Sequence, residues 1–265
     1  MPAMSDDLGT IHTRNEDGVL VMTIDRTAKR NGFTPKMAGE LAAAFTQLES
    51  EPALRVGLLC AAGGHFTGGI DLPLWADAMQ RGEPIWSADE IDPLDLREPR
   101  RTKPVVCAVS GICFTLGIEL MLAADVVIAA DDCRFSQLEV RRGIMASGGA
   151  TLRFAERAGM GNALALLLTG DEFDAATALR LNFVQKVVPA GTEFDAALAI
   201  AHRIAAMAPL AVRATRRSVL LAAEQGPAAA LAEIPAAQMA LARSDDAAEG
   251  VRAFVDRREP VFRGR

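Results

Sequence analysis

The 265-residue sequence contains no tyrosine, and aromatic residues of all kinds make up only 5% of it. Half of the residues are nevertheless hydrophobic and 22 are glycine, so the core must be built mainly from aliphatic and small side chains. This composition is typical of an α/β protein. The length allows one large domain, or a core with a helical appendage, whose interior needs no disulfide or metal to be stable.

Cysteine is also scarce, and its spacing excludes two kinds of site. Cys60, Cys107, Cys113 and Cys133 lie in or beside apolar segments and form no Cys-x-x-Cys pair. Such cysteines behave as small hydrophobic residues in a reducing compartment. We therefore expect free thiols, with neither disulfides nor a zinc site.

Long hydrophobic runs and an excess of positive charge are absent too. The apolar stretches are broken by Glu119, Asp125 and Asp131 before they reach the ~20 residues that span a bilayer. Residues 1–18 show no basic segment followed by an apolar one, so we expect no secretory signal, no membrane association and a cytoplasmic location. The net charge of −6 argues against nucleic-acid binding. The local basic clusters are either solvated faces or contacts to the phosphates of a nucleotide-bearing ligand.

Strands that precede helical patterns are predicted along the first part of the chain. Val19–Asp25, Val56–Ala61 and Val105–Val109 are short apolar segments of the kind found in buried strands of α/β folds. Thr34 and Pro35 have the residue types expected at a helix N-cap and at the first helical position. After residue 192 the pattern is helical to the end, with no Gly/Ser linker, which indicates a packed helical region.

The segment Leu72–Arg101 departs from this alternation. It holds both tryptophans, several prolines and many charges, and it predicts a helix followed by a mobile loop. Such a loop is either the wall of a pocket or a solvent-exposed insertion whose tryptophans pack onto the core. We expect this segment to be the least ordered part of the chain without ligand.

Two glutamates and a glycine-rich loop are candidates for chemistry. Glu119 and Glu139 lie in apolar surroundings, and two carboxylates near one water can divide the roles of acid and base. Singly, Glu139 could instead pair with a nearby arginine at position 134, 141 or 142. The loop in LLCAAGGHFTGGIDL (58–72) follows an apolar strand, and such loops leave backbone N–H groups unpaired.

Five ordered motifs resemble those of the crotonase, or enoyl-CoA hydratase/isomerase, superfamily: RTAKRN (26–31), HFTGGIDL (65–72), KPVVCAVSGICFTLGIELMLAADVVIA (103–129), FSQLEVRRGI (135–144) and EGVRAFVDRREPVF (249–262). The resemblance covers nearly the whole chain. It implies an α/β spiral of repeated β-β-α turns over residues 1–192 and an all-helical region over 193–265 that mediates oligomerisation. It also implies a homotrimer, which can pair into a hexamer as a dimer of trimers.

The resemblance further implies an acyl-CoA thioester substrate and no cofactor, since coenzyme A enters with the substrate. The thioester oxygen is expected to bind the backbone N–H groups of Ile70 and Leu116, which form an oxyanion hole. The chain departs from the family here. Thr115, Leu116 and Gly117 replace three consecutive glycines, and Ile70 replaces a commoner alanine, but neither change removes an N–H.

Retention of both Glu119 and Glu139 favours hydration of a 2-enoyl-CoA. A double-bond isomerase is the alternative, because the FTGGIDL motif resembles the dienoyl-CoA isomerase branch, although Ser147 occupies the place of an aspartate in that branch. A catalytically impaired CoA-binding subunit is a third possibility, suggested by Thr115, Leu116 and by Ala146 where a proline is common.

Coenzyme and acyl contacts are also implied by the resemblance. Arg30, Phe66 and Gly68 are expected to contact the coenzyme, together with Phe254 and Arg257 of a neighbouring subunit. The acyl pocket is expected to be walled by side chains of the Leu72–Arg101 segment, namely Leu72, Leu74, Trp75 and Met79.

Overall fold

The chain begins its fold with a tight hairpin. The structure is a computed structural model that describes residues 7–82 and 86–265. Strands β1 (Thr10–Glu16) and β2 (Val19–Asp25) pair antiparallel around Asp17 and Gly18, and both of these residues have positive φ. Positive φ at both central residues is the geometry whose twist matches that of paired strands, and Asp-Gly adopts it readily.

The first helix, α1 (Pro35–Ser50), begins as its sequence predicts. The Thr34 hydroxyl accepts a hydrogen bond from the N–H of Met37 at 3.2 Å, and Pro35 fills the first helical position, where it removes no intrahelical bond. The apolar side chains at helical spacing in α1 are all buried. This helix therefore covers one face of the sheet that follows.

The remaining elements are mostly short. In chain order they are β3 (Val56–Ala61), α2 (Leu72–Arg81), β4 (Val105–Val109), β5 (Ile112–Phe114), α3 (Leu116–Ala123), β6 (Val126–Ala130), β7 (Arg134–Ser136), a 3₁₀ helix (Glu139–Arg142), α4 (Ala150–Ala158), α5 (Met160–Thr169), β8 (Phe173–Asp174), α6 (Ala175–Arg180) and β9 (Lys186–Val188). The predicted bounds of β2, β3 and β4 are confirmed.

Two sheets position the loops of the site. The larger has the order β1-β2-β3-β4-β6-β9 and is parallel from β2 onward, while the smaller has the order β5-β7-β8. Alternate residues of the parallel strands face opposite sides, so Leu20 and Met22 join the main core whereas Val19 and Val21 pack under a C-terminal helix. Both faces of this sheet are therefore covered, as its continuous apolar strands require.

The C-terminal region is helical, as predicted. It consists of α7 (Glu193–Ala205), α8 (Pro209–Gln225), α9 (Pro227–Ala242) and α10 (Asp245–Asp256). Helix α7 lies on the large sheet, whereas α8 and α9 pack against each other. The division at residue 192 and the role of the last region in oligomerisation stay predictions.

The segment after α2 is packed against the core. Trp86, Ile91 and Leu94 are buried, and both carboxylate oxygens of the buried Asp92 accept backbone N–H groups from its own loop. Trp86 packs onto the core as the alternative of an exposed insertion expected, but residues 91–95 are buried as well, so the segment 86–101 is only partly exposed. Residues 83–85 of the predicted loop lie outside the described residues, and the expectation that the segment orders on ligand binding stays a prediction.

All four cysteines are buried and free. In the described residues no single helix combines the length and apolar composition needed to cross a bilayer. Helices α7 and α8 meet both requirements only when taken together, and the chain bends by 109° between them.

Candidate active site

A cavity of about 380 Å³ lies where the loops after β3, β5 and β7 meet. These loops follow the carboxyl ends of strands, which is where α/β folds commonly bind ligands. The polar side chains of the cavity wall are Thr115, Glu119, Glu139, Arg142 and Ser147. The cavity thus collects both predicted carboxylates in one place.

The backbone of Ile70 enters this wall through an isolated bridge to Phe33. The N–H of Phe33 donates to the Gly69 carbonyl and the N–H of Asp71 donates to the Phe33 carbonyl, both at 2.8 Å. The bridge therefore uses the peptide groups on either side of Ile70 but not its own amide. Within residues 7–82 and 86–265 the Ile70 N–H has no hydrogen-bond acceptor.

The amide of Leu116 is free for a different reason. Leu116 is the first residue of α3, and a first-turn N–H has no carbonyl one turn earlier to bind. Thr115 before it donates to the Ser136 carbonyl, and Ile118 and Glu119 after it donate to the Thr115 carbonyl. Among the described residues, none accepts a hydrogen bond from the N–H of Leu116.

The two loops that carry these amides are in contact. Gly69 has a φ of 101°, and a Cβ at this position would overlap the Thr115 hydroxyl oxygen. Glycine is therefore required at position 69 for the approach. As a result, Ile70 and Leu116 line the same cavity, with one free N–H each.

Glu119 is held by the backbone at the start of α4. Its Oε1 atom accepts the N–H of Gly148 at 2.6 Å and that of Ala150 at 3.3 Å. A Cβ on residue 148 would overlap Oε2, so only glycine lets the turn approach so closely. The side chain is about 5% exposed, and burial raises the pKa of Glu119 to about 7, with a smaller contribution from the charge of Glu139. The backbone hydrogen bonds oppose this rise without cancelling it.

Glu139 opens the 3₁₀ helix and is buried without a partner. Its Oε2 atom has no hydrogen bond among the described residues, and burial raises the pKa of this carboxyl. The alternative of an ion pair with a neighbouring arginine is wrong. Arg134 pairs with Glu172, and Arg141 pairs with Asp171 at 2.8 Å, both on the exposed side.

Most of the predicted acyl-pocket residues line the cavity. Leu72, Trp75 and Met79 form part of its wall, and the Trp75 indole N–H is fixed by the Phe33 carbonyl at 2.9 Å. Leu74 does not line the cavity. Residues one or two positions apart on an α-helix point in different directions, so Leu74 does not share the direction of Leu72 and Trp75 on α2.

The predicted coenzyme residues are more widely spread. Gly68 lines the cavity and donates its N–H to the carbonyl of the exposed Arg30 at 2.9 Å. The Phe66 side chain is fully buried in the core, so only its backbone can approach a ligand. Phe254 is 86% exposed on α10, and Arg257 ends that helix. Their contact with a neighbouring site stays a prediction.

Sequence reasoning did not find the donors to Glu119 or part of the wall. Gly148 and Ala150 carry these donors, and Ile144 and Met145 add apolar wall. The SGGA turn before α4 was a usable signal, because a helix beginning after small residues exposes N–H groups to a nearby carboxylate.

Comparison with known proteins identifies the family of the chain. Residues 14–265 match the model of the enoyl-CoA hydratase/isomerase family. The chain belongs to this family. It is 33% identical over 255 residues to mevalonyl-coenzyme A hydratase of Beauveria bassiana, covering 92% of this chain and 91% of the relative. It is 32% identical over 251 residues to enoyl-CoA hydratase EchA19 of Mycobacterium tuberculosis, with 93% of each chain covered.

Solved structures of the family share the fold. The chain superimposes with a TM-score of 0.93 on a probable enoyl-CoA hydratase/isomerase from Mycobacterium abscessus, at 44% identity and with 97% and 99% of the two chains covered. The predicted crotonase-type α/β fold with its C-terminal helices is thereby confirmed.

Proposed function

We propose that the protein is an enoyl-CoA hydratase, in which Glu119 and Glu139 add water to the 2,3 double bond of a 2-enoyl-CoA. One observation carries the proposal. Two buried carboxyls with raised pKa values and two free backbone N–H groups line the same cavity. A double-bond isomerase needs a single proton relay, whereas hydration needs two groups that share one water.

The free amides of Ile70 and Leu116 suit the thioester carbonyl. As water adds to C3, negative charge develops on the thioester oxygen, and two pre-positioned donors stabilise it without having to reorient. Loss of one donor of this kind typically costs ~3 kcal/mol of transition-state stabilisation. The bulk that Ile70 and Leu116 add narrows the cavity but leaves both N–H groups in place.

The carboxyls balance the protons of the reaction. One carboxylate accepts a proton from water while the water oxygen forms its bond to C3, and the other carboxyl releases a proton to C2. The pair starts and ends with one proton, located on opposite members. Two nearby buried carboxyls favour such a shared proton, because full ionisation of both is disfavoured by burial and by like charge.

We also infer that the chain assembles as a homotrimer, or as a hexamer of paired trimers. Support comes from apolar side chains left exposed on the C-terminal helices: Val219, Leu231, Met239, Val251, Phe254 and Val255. Exposed apolar surface on this scale is typical of an interface. Placing Phe254 and Arg257 against a neighbour's coenzyme would complete the site. Sedimentation of the purified protein tests this, and a stable monomer at micromolar concentration contradicts it.

The experiment for the reaction is hydration of crotonyl-CoA, followed by loss of the enoyl absorbance. Glu119→Gln and Glu139→Gln should each lower kcat ~10²-fold or more, and the double variant should lose far less than the product of the two. Glu172→Gln, which alters an exposed glutamate paired with Arg134, is the matched control and should stay active.

Two outcomes contradict the hydratase assignment. Wild-type protein that shifts a 3-enoyl double bond but adds no water is an isomerase. Protein that binds acyl-CoA without any turnover is a CoA-binding subunit.

A further inference from the structure

The cavity contains a cation that hydration does not use. Arg142 ends the 3₁₀ helix that Glu139 begins. In a 3₁₀ helix, side chains three residues apart lie on the same side, because one turn takes three residues. Arg142 therefore lies beside Glu139, and both line the cavity.

Arg142 differs from the arginines near it in having no partner. Arg134 and Arg141 form ion pairs with Glu172 and Asp171. Over residues 7–82 and 86–265, by contrast, the side chain of Arg142 makes neither an ion pair nor a hydrogen bond. Glu119 and Glu139 do not neutralise it either, since neither carboxylate forms an ion pair with it. The guanidinium is exposed and accessible to a ligand.

The wall around Arg142 is otherwise apolar on the acyl side. Leu72, Met79, Ile144 and Met145 line the same cavity. A ligand that complements this arrangement has an apolar spacer with an anion at its end. The planar guanidinium binds a carboxylate through two parallel hydrogen bonds, a match that a neutral terminus cannot make.

We propose that Arg142 is a specificity-determining residue that binds a carboxylate at the far end of the acyl group. The preferred substrate is then a 2-enoyl-CoA formed from a dicarboxylic acid. With the thioester oxygen at Ile70 and Leu116 and C3 between the two glutamates, the chain beyond C3 continues along the 3₁₀ helix toward Arg142. This inference rests on the proposed hydratase function, whose reaction it narrows to one substrate class.

The test compares three 2-enoyl-CoA thioesters of equal chain length, ending in a methyl group, a carboxylate or the methyl ester of that carboxylate. Wild type should hydrate the carboxylate with a kcat/KM roughly 10- to 100-fold above the other two, the range expected for hydrogen bonds between charged groups. Arg142→Gln should remove this preference and change the two neutral substrates by less than ~3-fold. Arg142→Lys should keep part of it, because charge remains but the paired geometry is lost.

Arg141→Gln is the matched control. It alters the same residue type one position earlier, in a side chain held outside the cavity by Asp171. The kcat/KM of Arg141→Gln for each of the three substrates should equal that of wild type. If Arg142→Gln weakens all three thioesters equally, Arg142 contacts the coenzyme phosphates and the proposal is overturned. It is also overturned if wild type shows no preference for the carboxylate.

A binding measurement separates this proposal from the proposed reaction. Calorimetry with two saturated acyl-CoA analogues, one ending in a methyl group and one in a carboxylate, needs no turnover. Tighter binding of the carboxylate by wild type, lost in Arg142→Gln, supports the role of Arg142 even if no water is added to any enoyl-CoA. Equal binding of both analogues refutes it even if crotonyl-CoA is hydrated.

Discussion

Two groups of buried acidic side chains experience opposite electrostatic conditions in this molecule. Glu119 and Glu139 line the candidate active site, and burial raises the pKa of both. Asp95, in the 86–101 segment, and Asp125, just before β6, both pair with Arg216 of α8. Burial acts in the same direction on them, yet the pKa of each is lowered. The depth of burial therefore does not explain why the pKa is raised in one group and lowered in the other.

Arginine partners account for the contrast. Arg216 donates to Asp95 at 2.6 Å and to Asp125 at 2.9 Å, and Arg101 donates to Asp125 at 2.7 Å. These charges outweigh the desolvation of the aspartates. The glutamates have only backbone donors, or none, and can therefore change protonation near neutral pH. Among these four buried carboxyls, the two with arginine partners are held as anions, whereas the two without can exchange a proton.

The largest effect is expected from Asp95→Asn. The substitution leaves Arg216 with a buried charge that has lost part of its compensation, and breaking such a pair typically costs ~3–5 kcal/mol in the free energy of unfolding. Asp95 has a φ of 53°, a left-handed conformation that asparagine also tolerates, so the backbone should not be strained. Urea unfolding measures the loss.

The control for Asp95→Asn is Arg134→Gln, which removes an exposed ion pair with Glu172. Exposed pairs contribute at most ~1 kcal/mol. If the two variants lost the same free energy of unfolding, the buried ion pairs of Asp95 would be no more important for stability than an exposed pair.

A smaller effect is expected from Glu119→Gln on the pH dependence of stability. Because the pKa of Glu119 rises from 4.5 to about 7 on folding, its contribution to stability is complete below pH 4.5 and is lost as the pH rises through about 7. Glutamine has no such loss. The stability of Glu119→Gln relative to wild type should therefore increase across this interval, by on the order of 2–3 kcal/mol.

Unfolding curves recorded at several pH values between 4.5 and 8 check this prediction. Asp95→Asn should show no such change between pH 4.5 and 8, because the pKa of Asp95 is lowered from 3.8 and the stability that this gives is lost only at more acid pH. If the free energies of unfolding of the two variants changed with pH in the same way, the pKa values of Glu119 and Asp95 would not be shifted in opposite directions.

The smallest expected effect concerns Gly148→Ala. The added methyl group displaces the Glu119 carboxylate with which it overlaps, and kcat should fall roughly 10-fold while KM changes little, the pattern of a misplaced catalytic group. Gly39→Ala is the matched control, because a Cβ there meets no atom within 4 Å and alanine favours the helix. A Gly148→Ala enzyme with wild-type kcat would show that Glu119 does not depend on this turn.

Local signals explain how much of the fold could be predicted from sequence. The bounds of β2, β3 and β4 follow from apolar runs and from the residues at their ends, and the Thr34 cap follows from its position before Pro35. The positions of Glu119 and Glu139 in one cavity were expected from the family resemblance.

Contacts distant in sequence explain what could not be predicted. The buried residues 91–95 contact a distant part of the chain, since the hydrogen bond from Arg216 to Asp95 joins residues 121 positions apart. The carboxylate of Glu119 is held by an N–H group 29 positions away. Among the described residues the side chain of Arg142 has no partner while that of Arg141 has one. This depends on which side of a short 3₁₀ helix each residue lies, which the sequence RR does not specify.

The proposed oxyanion site consists of main-chain N–H groups, and this has a consequence for how the pocket can change. Every amino acid except proline brings the same N–H to positions 70 and 116, so substitutions there alter the volume available to the acyl group without deleting a donor. At these two positions the side chains thus determine the shape of the pocket, whereas the backbone N–H groups stabilise the transition state. Libraries that vary the side chains of Ile70 and Leu116 should therefore change which thioesters are accepted while preserving the oxyanion donors, which makes these positions natural starting points for engineering new substrate ranges.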